Sequence, residues 1–235
     1  MRGKVCLVTG ANAGLGKQVC LELAARGAEV IMSARNRQQA EQVRDQIISE
    51  TGNKQVKLLV ADLSSFQEIV HLSNTIKAEY QKLDVLINNA GIFLTAYQET
   101  ADGIETQWMV NHLAPYLLTR RLLDLLQTAP EARIINVSSK AHLRGSIDFD
   151  NLYGRGRYNG MAAYSQSKLA NILFTKELAQ RLRGTHVSSF ALHPGVVNTH
   201  IGNKNSSGWM SWAWKLGKPF MISPAKGAKT IVYLA

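Results

Sequence analysis

The chain has 235 residues, 46% of them apolar and 19% charged, a composition that suits one large globular domain and excludes a disordered chain. Its two cysteines, Cys6 and Cys20, form no CxxC pair, which excludes a disulfide framework and a zinc ribbon and favours a reducing, cytoplasmic setting. The formal net charge is +10, but the basic residues are scattered without interleaved aromatics, so no nucleic-acid partner is expected.

No apolar run reaches the roughly 20 residues of a membrane span, and the chain as it stands is expected to be soluble. Short β-branched runs alternate with longer helical patterns. Lys4–Thr9 reads as a strand and Gly14–Arg26 as a helix, with Leu15, Val19 and Leu23 on one face. Ala28–Ser33 is a second strand, followed by a polar helix over Arg37–Glu50. Gln55–Ala61 and Ser65–Gln81 repeat the pair. Leu83–Ile87 and Arg133–Val137 read as buried strands with one long helix, Gly103–Leu126, between them. A helix at Ala162–Arg183, a strand at His186–Leu192 and a helix at Pro224–Ala235 complete the chain.

This order predicts a single α/β domain over residues 1–235, a doubly wound parallel sheet of Rossmann type with helices on both faces. Two segments break the rhythm, Lys140–Met161 and Pro194–Ser223. Both follow strand ends, where open α/β sheets bind ligands.

Thr9-Gly10-Ala11-Asn12-Ala13-Gly14-Leu15-Gly16 closes the first strand and opens the first helix. Glycines let a pyrophosphate approach backbone N–H groups at a helix N-terminus. The spacing is Gly-x-x-x-Gly-x-Gly, and a glycine-rich turn without a ligand is the competing reading. The six histidines lack metal-ligand spacing, so no metal site is expected.

Three motifs in order carry a family resemblance: Thr9–Gly16, then Asn88-Asn89-Ala90-Gly91, then Tyr164-Ser165-Gln166-Ser167-Lys168. Together they resemble the short-chain dehydrogenases/reductases. Ile134–Ser139, Ser167–Asn171 and His193–Thr199 are similar to the retinol dehydrogenase-like branch. The resemblance implies a hydride-transferring oxidoreductase that interconverts a carbonyl and an alcohol, on a small lipophilic substrate such as a retinoid or steroid. A competing expectation is a non-catalytic nucleotide-binding or interaction protein on a truncated form of the fold.

The resemblance implies Asn111, Ser139, Tyr164 and Lys168 as catalytic residues. Tyr164 and Lys168 lie at i and i+4, so they share a helix face. A free tyrosine titrates near about 10, and an adjacent ammonium together with an oxidised nicotinamide is expected to lower that value. Ser139 is expected to polarise the substrate oxygen; Ser138 is the neighbour that a one-residue misregistration would choose. Asn111 is implied to hold a water-linked proton relay to the lysine.

Cofactor contacts are expected at Gly10, Asn12, Gly14, Leu15, Gly16, Asp62, Leu63, Asn88, Ala90, Gly91, Pro194, Gly195, Val197 and Thr199, beside Tyr164 and Lys168. Asp62 has a second reading as the cap of the next helix. At the end of the second strand stands Ser33-Ala34-Arg35-Asn36-Arg37, where an NAD-binding protein would carry a carboxylate. Arg35 offers a fork for a 2′-phosphate, so NADP(H) is expected over NAD(H).

Relatives continue into a final strand beyond the point where this chain stops, so a sheet lacking that strand is expected. The Gly208–Trp214 stretch within residues 194–223 reads first as a substrate lid, with a peripheral membrane or other interfacial contact and a simple packed loop as the competing readings. The helices Gly103–Leu126 and Ala162–Arg183 are the candidate homo-oligomer interfaces.

Overall fold

The computed structural model describes residues 1–195 and 222–235. Six strands form one parallel sheet: β1 (Val5–Thr9), β2 (Glu29–Ala34), β3 (Val56–Val60), β4 (Val85–Asn88), β5 (Ala132–Val137) and β6 (Val187–Leu192). Their spatial order is β3-β2-β1-β4-β5-β6. Every pairing is parallel, in registers such as Leu7 with Ile31 and Ile87 with Ile135. The predicted doubly wound Rossmann-type sheet is what forms, and among the described strands β6 pairs with β5 alone.

Strand alternation divides the interior into two cores. Cys6 and Val8 of β1 face the helices α1 (Gly14–Ala25) and α2 (Arg37–Thr51), together with the final helix. Leu7, Ile31, Leu86 and Ile134 face the other side, packing on α3 (Phe66–Glu79) and on the long helices that follow β4 and β5. Burial holds the Cys6 thiol up at about 12 and raises the Cys20 thiol as well, so both behave as small apolar residues.

The helix expected over Gly103–Leu126 is three pieces: α4 (Thr106–Trp108), a π-helical turn over Met109–Leu113, and α5 (Ala114–Gln127). Pro115 supplies the reason. It sits four residues after Asn111 and has no N–H to donate, so the Asn111 carbonyl loses its α-helical partner. The Asn171 amide nitrogen, 2.8 Å away, donates to that carbonyl instead. Asn171 lies on α6 (Gly160–Arg181), which follows a short 3-10 turn at Lys140–Arg144.

The last helix, α7 (Pro224–Leu234), is capped by the Ser223 side chain, which accepts from the Lys226 N–H. It buries Ala228, Ile231 and Val232 in the same core as Val19 and Leu23 of α1. Because all strands run parallel, their C-terminal ends share one rim. Strand order reverses there between β1 and β4, which is where an open α/β sheet leaves a crevice.

Candidate active site

The glycine loop lies at this crevice. Gly10 has φ +67°, in the left-handed region, and a Cβ there would come 2.9 Å from the Ala90 Cα. A Cβ on Gly16 would overlap the Gly10 carbonyl oxygen, so α1 can press against the end of β1 only because that position is bare. Gly14 also has positive φ. Asn12 donates to the Gln39 side chain at 2.9 Å, which ties the loop to the start of α2. Leu15 is buried in the α1-side core, so only its backbone is available to a ligand.

The Asn88–Gly91 motif divides its labour differently from the sequence expectation. Asn88 is buried beneath the groove and donates to Thr119 and Asn136. It is Asn89 that reaches the glycine loop, donating to the Thr9 carbonyl at 2.8 Å. The Thr9 hydroxyl in turn accepts from the N–H groups of Asn89 and Ala90, each at 3.0 Å. Thr9 and Asn89 therefore lock the end of β1 to the end of β4. Both stand inside the quoted motifs, but neither has a chemical group that sequence alone marks as structural.

Asp62 does not cap α3. That cap is Ser65, whose hydroxyl accepts from the Glu68 N–H. Asp62 instead accepts from the Ser64 N–H and hydroxyl, which fixes its carboxylate at the end of β3. Leu63 is buried in the core beside it. Arg35 is exposed directly after β2, while Asn36 caps α2 by accepting from the Gln39 N–H. Pro194 and Gly195 follow β6, with Gly195 against Ile222. Val197, Thr199 and most of the expected lid at 194–223 lie outside the described residues.

Ser139, Tyr164 and Lys168 converge at the rim. Ser139 stands at the exit from β5, with its side chain accepting from the Ala141 N–H. Ser138 is buried and donates to the Lys168 carbonyl at 2.8 Å, so its hydroxyl is already engaged, whereas Ser139 is the less buried of the two. Lys168 lies one turn after Tyr164 on α6, with its ammonium 5.6 Å from the centre of the tyrosine ring. A Cβ on Gly91 would come 3.3 Å from that ammonium and 3.4 Å from the Asn111 side-chain oxygen. Asn111 spends its amide on the Ile92 backbone and on the Ser167 hydroxyl.

Burial dominates the electrostatics of Tyr164 and Lys168. Burial pushes the Tyr164 hydroxyl above its ordinary value, and the hydrogen bond with Ser139 only partly draws it back. Lys168 is only 4% exposed, and burial holds its ammonium down at about 8. Desolvation disfavours both charged forms at once, so an adjacent lysine alone does not produce a low tyrosine pKa here.

These residues fit a dinucleotide. Lys168 has three N–H donors, and the protein offers one partner among the described residues, the Val137 carbonyl at 3.1 Å. Gly91, beside the Ala90 against which Gly10 packs, stands next to that ammonium.

A short chain dehydrogenase family profile matches residues 4–208. Retinol dehydrogenase 11 of Homo sapiens is 46% identical over 233 residues, covering 99% of this chain and 73% of its own length. Among solved structures, a putative uncharacterized protein from Mycobacterium Paratuberculosis superposes with a TM-score of 0.79 at 35% identity, over 99% of this chain and 76% of its own. A metagenomic short-chain oxidoreductase in complex with NADP gives 0.73 at 25% identity, over 99% of this chain and 90% of its own.

Proposed function

Because the chain belongs to the short chain dehydrogenase family, in its retinol dehydrogenase-like branch, and is an oxidoreductase acting on CH–OH donors, we propose that it interconverts a retinoid-like aldehyde and its alcohol with NADP(H). The observation that carries this reading is the trio at the rim: Ser139 at the exit from β5, Tyr164 at the start of α6, and the buried Lys168 ammonium 5.6 Å from the tyrosine ring.

A nicotinamide, when bound, would supply the hydride. Tyr164 delivers its hydroxyl proton to the carbonyl oxygen in reduction and takes it back in oxidation. Ser139 donates a hydrogen bond to the same oxygen, where charge develops. Lys168 offers its two unused N–H donors to the cofactor's hydroxyls, and its positive charge helps the phenolate form. Asn111 holds the Ile92 backbone and the hydroxyl of Ser167, the residue before the lysine. Arg35 is proposed to face the 2′-phosphate, with Asn12 and Gln39 bracing the loop beside it.

The relative's printed name supports a retinoid, and the structural neighbour bound to NADP supports that cofactor. Among the described residues no helix is long and apolar enough to cross a membrane. A homo-oligomer through α5 and α6 belongs to the same reading, supported by the exposed Tyr116 and Leu173 on those helices.

Retinal and retinol turnover should be measured with each cofactor, alongside titrations of cofactor binding. Turnover that prefers NADP(H) supports the proposal. Tight NADP(H) binding without turnover of either retinoid, or of a panel of other aldehydes and alcohols, would favour a non-catalytic nucleotide-binding protein.

A further inference from the structure

Gln107 is fully buried, touches none of the reacting groups, and carries an amide that the mechanism leaves unused. It lies four residues before Asn111, on the same helical face. The Asn111 oxygen accepts from the Ile92 N–H at 2.7 Å, while its nitrogen donates to the Ile92 carbonyl at 2.9 Å. Gln107 repeats the arrangement one step along: its oxygen accepts from the Leu94 N–H at 3.0 Å and its nitrogen donates to the Leu94 carbonyl at 3.3 Å. The result is a two-rung ladder of side-chain amides along the backbone of Ile92–Leu94.

Phe93 lies between the rungs, and its ring meets the Tyr164 ring edge-on, with centroids 5.5 Å apart at 87°. The Gln107 nitrogen also lies 3.1 Å from the Gly160 carbonyl, at the first residue of the helix that carries Tyr164. A Cβ on Gly160 would overlap the Leu94 carbonyl oxygen, so segment and helix start are in direct contact. The Tyr158 hydroxyl, 2.6 Å from the same nitrogen, donates to Glu105, whose carboxylate accepts from the Gln107 and Trp108 N–H groups. One buried amide thus joins α4, the Ile92–Leu94 segment and the start of α6.

We propose that Gln107 is a positioning residue for Tyr164, fixing both the Phe93 ring and the helix start against which the tyrosine is held. The inference rests on the reading of Tyr164 as the proton donor for its effect on turnover, but not for its effect on the tyrosine's surroundings. A purely structural amide would change stability and leave Tyr164 as it is.

The test uses Gln107→Met, Phe93→Leu and the double variant of the full chain, with tyrosine labelled by 13C and the Tyr164 resonance assigned through Tyr164→Phe. NADPH binding and retinal reduction are measured on the same samples. In Gln107→Met the Tyr164 resonance should move as it does in Phe93→Leu, kcat should fall roughly ten- to hundredfold, and NADPH affinity should stay within about twofold. In the Phe93→Leu background the second substitution should cost less than it does alone, because part of its effect passes through the Phe93 ring. An unmoved Tyr164 resonance, or costs that multiply fully, would overturn the proposal. If Gln107→Met does not fold, Gln107→Glu keeps the oxygen for the Leu94 N–H, removes the donors, and is judged by the same criteria. If the wild-type protein fails to reduce retinal, the substrate reading fails and the resonance still decides the ladder.

Discussion

Replacing Lys168 by methionine should stabilise the cofactor-free protein while destroying its function. Burial lowers the ammonium from its ordinary 10.5 to about 8, which corresponds to about 3 kcal/mol of preference for the neutral amine. At pH 7 the group is nevertheless charged in both folded and unfolded states, so folding bears that penalty in full. Methionine fills similar volume, removes the charge and loses the hydrogen bond to Val137, a loss of about 1 kcal/mol. The expected gain at pH 7 is therefore about 2 kcal/mol. Its pH dependence has a definite sign. Between about 8 and 10.5 the unfolded chain still binds the proton that the folded chain has released, so wild-type stability attributable to this group rises with pH. The advantage of methionine should shrink over that window and reverse above it. Urea unfolding of both proteins at pH 7 and pH 9.5 measures the difference, and the other titrating groups cancel in the comparison. A variant less stable at pH 7, or a difference that does not change with pH, would refute the reasoning. NADP(H) affinity and turnover should both fall, since the variant has no donor for the cofactor's hydroxyls.

Arg35→Ala should weaken NADP(H) by roughly tenfold to a hundredfold, as for one charge-assisted contact, and leave NAD(H) nearly unchanged. Because Arg35 is exposed, the effect should shrink as salt rises, and equal losses for both cofactors in parallel titrations would withdraw it from the 2′-phosphate. Ala34→Asp should shift preference the same way, by repelling the 2′-phosphate and offering an acceptor to a ribose hydroxyl. Asn171→Leu removes the donor from the Asn111 carbonyl and the acceptor from the His112 ring nitrogen, 3.0 Å away. Leaving those buried groups unpaired should lower unfolding free energy by about 2–4 kcal/mol in urea, and a change within about 0.5 kcal/mol would show that the π-helical turn satisfies itself.

The parallel sheet was legible because each strand is a short β-branched run and each crossover a longer amphipathic pattern, signals that are local in the chain. The same holds for the glycine loop and for the Tyr164–Lys168 pair. What sequence reasoning missed depends on partners far apart in the chain. Pro115 is visible as a helix breaker, but the turn it forces is completed by Asn171 on another helix. Ser138 and Ser139 are also adjacent and identical in type, and only the fold shows that Ser138 spends its hydroxyl on the Lys168 carbonyl while Ser139 stands at the exit from β5. Asn88 and Asn89 are adjacent and identical in type, so only their three-dimensional surroundings show that Asn89 braces the glycine loop while Asn88 serves the interior. Proximity of Lys168 to Tyr164 was readable from their spacing, whereas the burial that raises the tyrosine belongs to the folded state.

The central claim is that this chain transfers hydride to a carbonyl with Tyr164 supplying the proton. NADPH deuterated at the transferring position of its nicotinamide ring should be incubated with retinal and either the wild-type protein or Tyr164→Phe, and the retinol examined by mass spectrometry. Deuterium should appear in retinol with the wild type, while Tyr164→Phe should bind NADPH nearly as tightly and form almost none. Equal deuterium incorporation by the two proteins, with chemistry shown to limit the rate, would contradict the account.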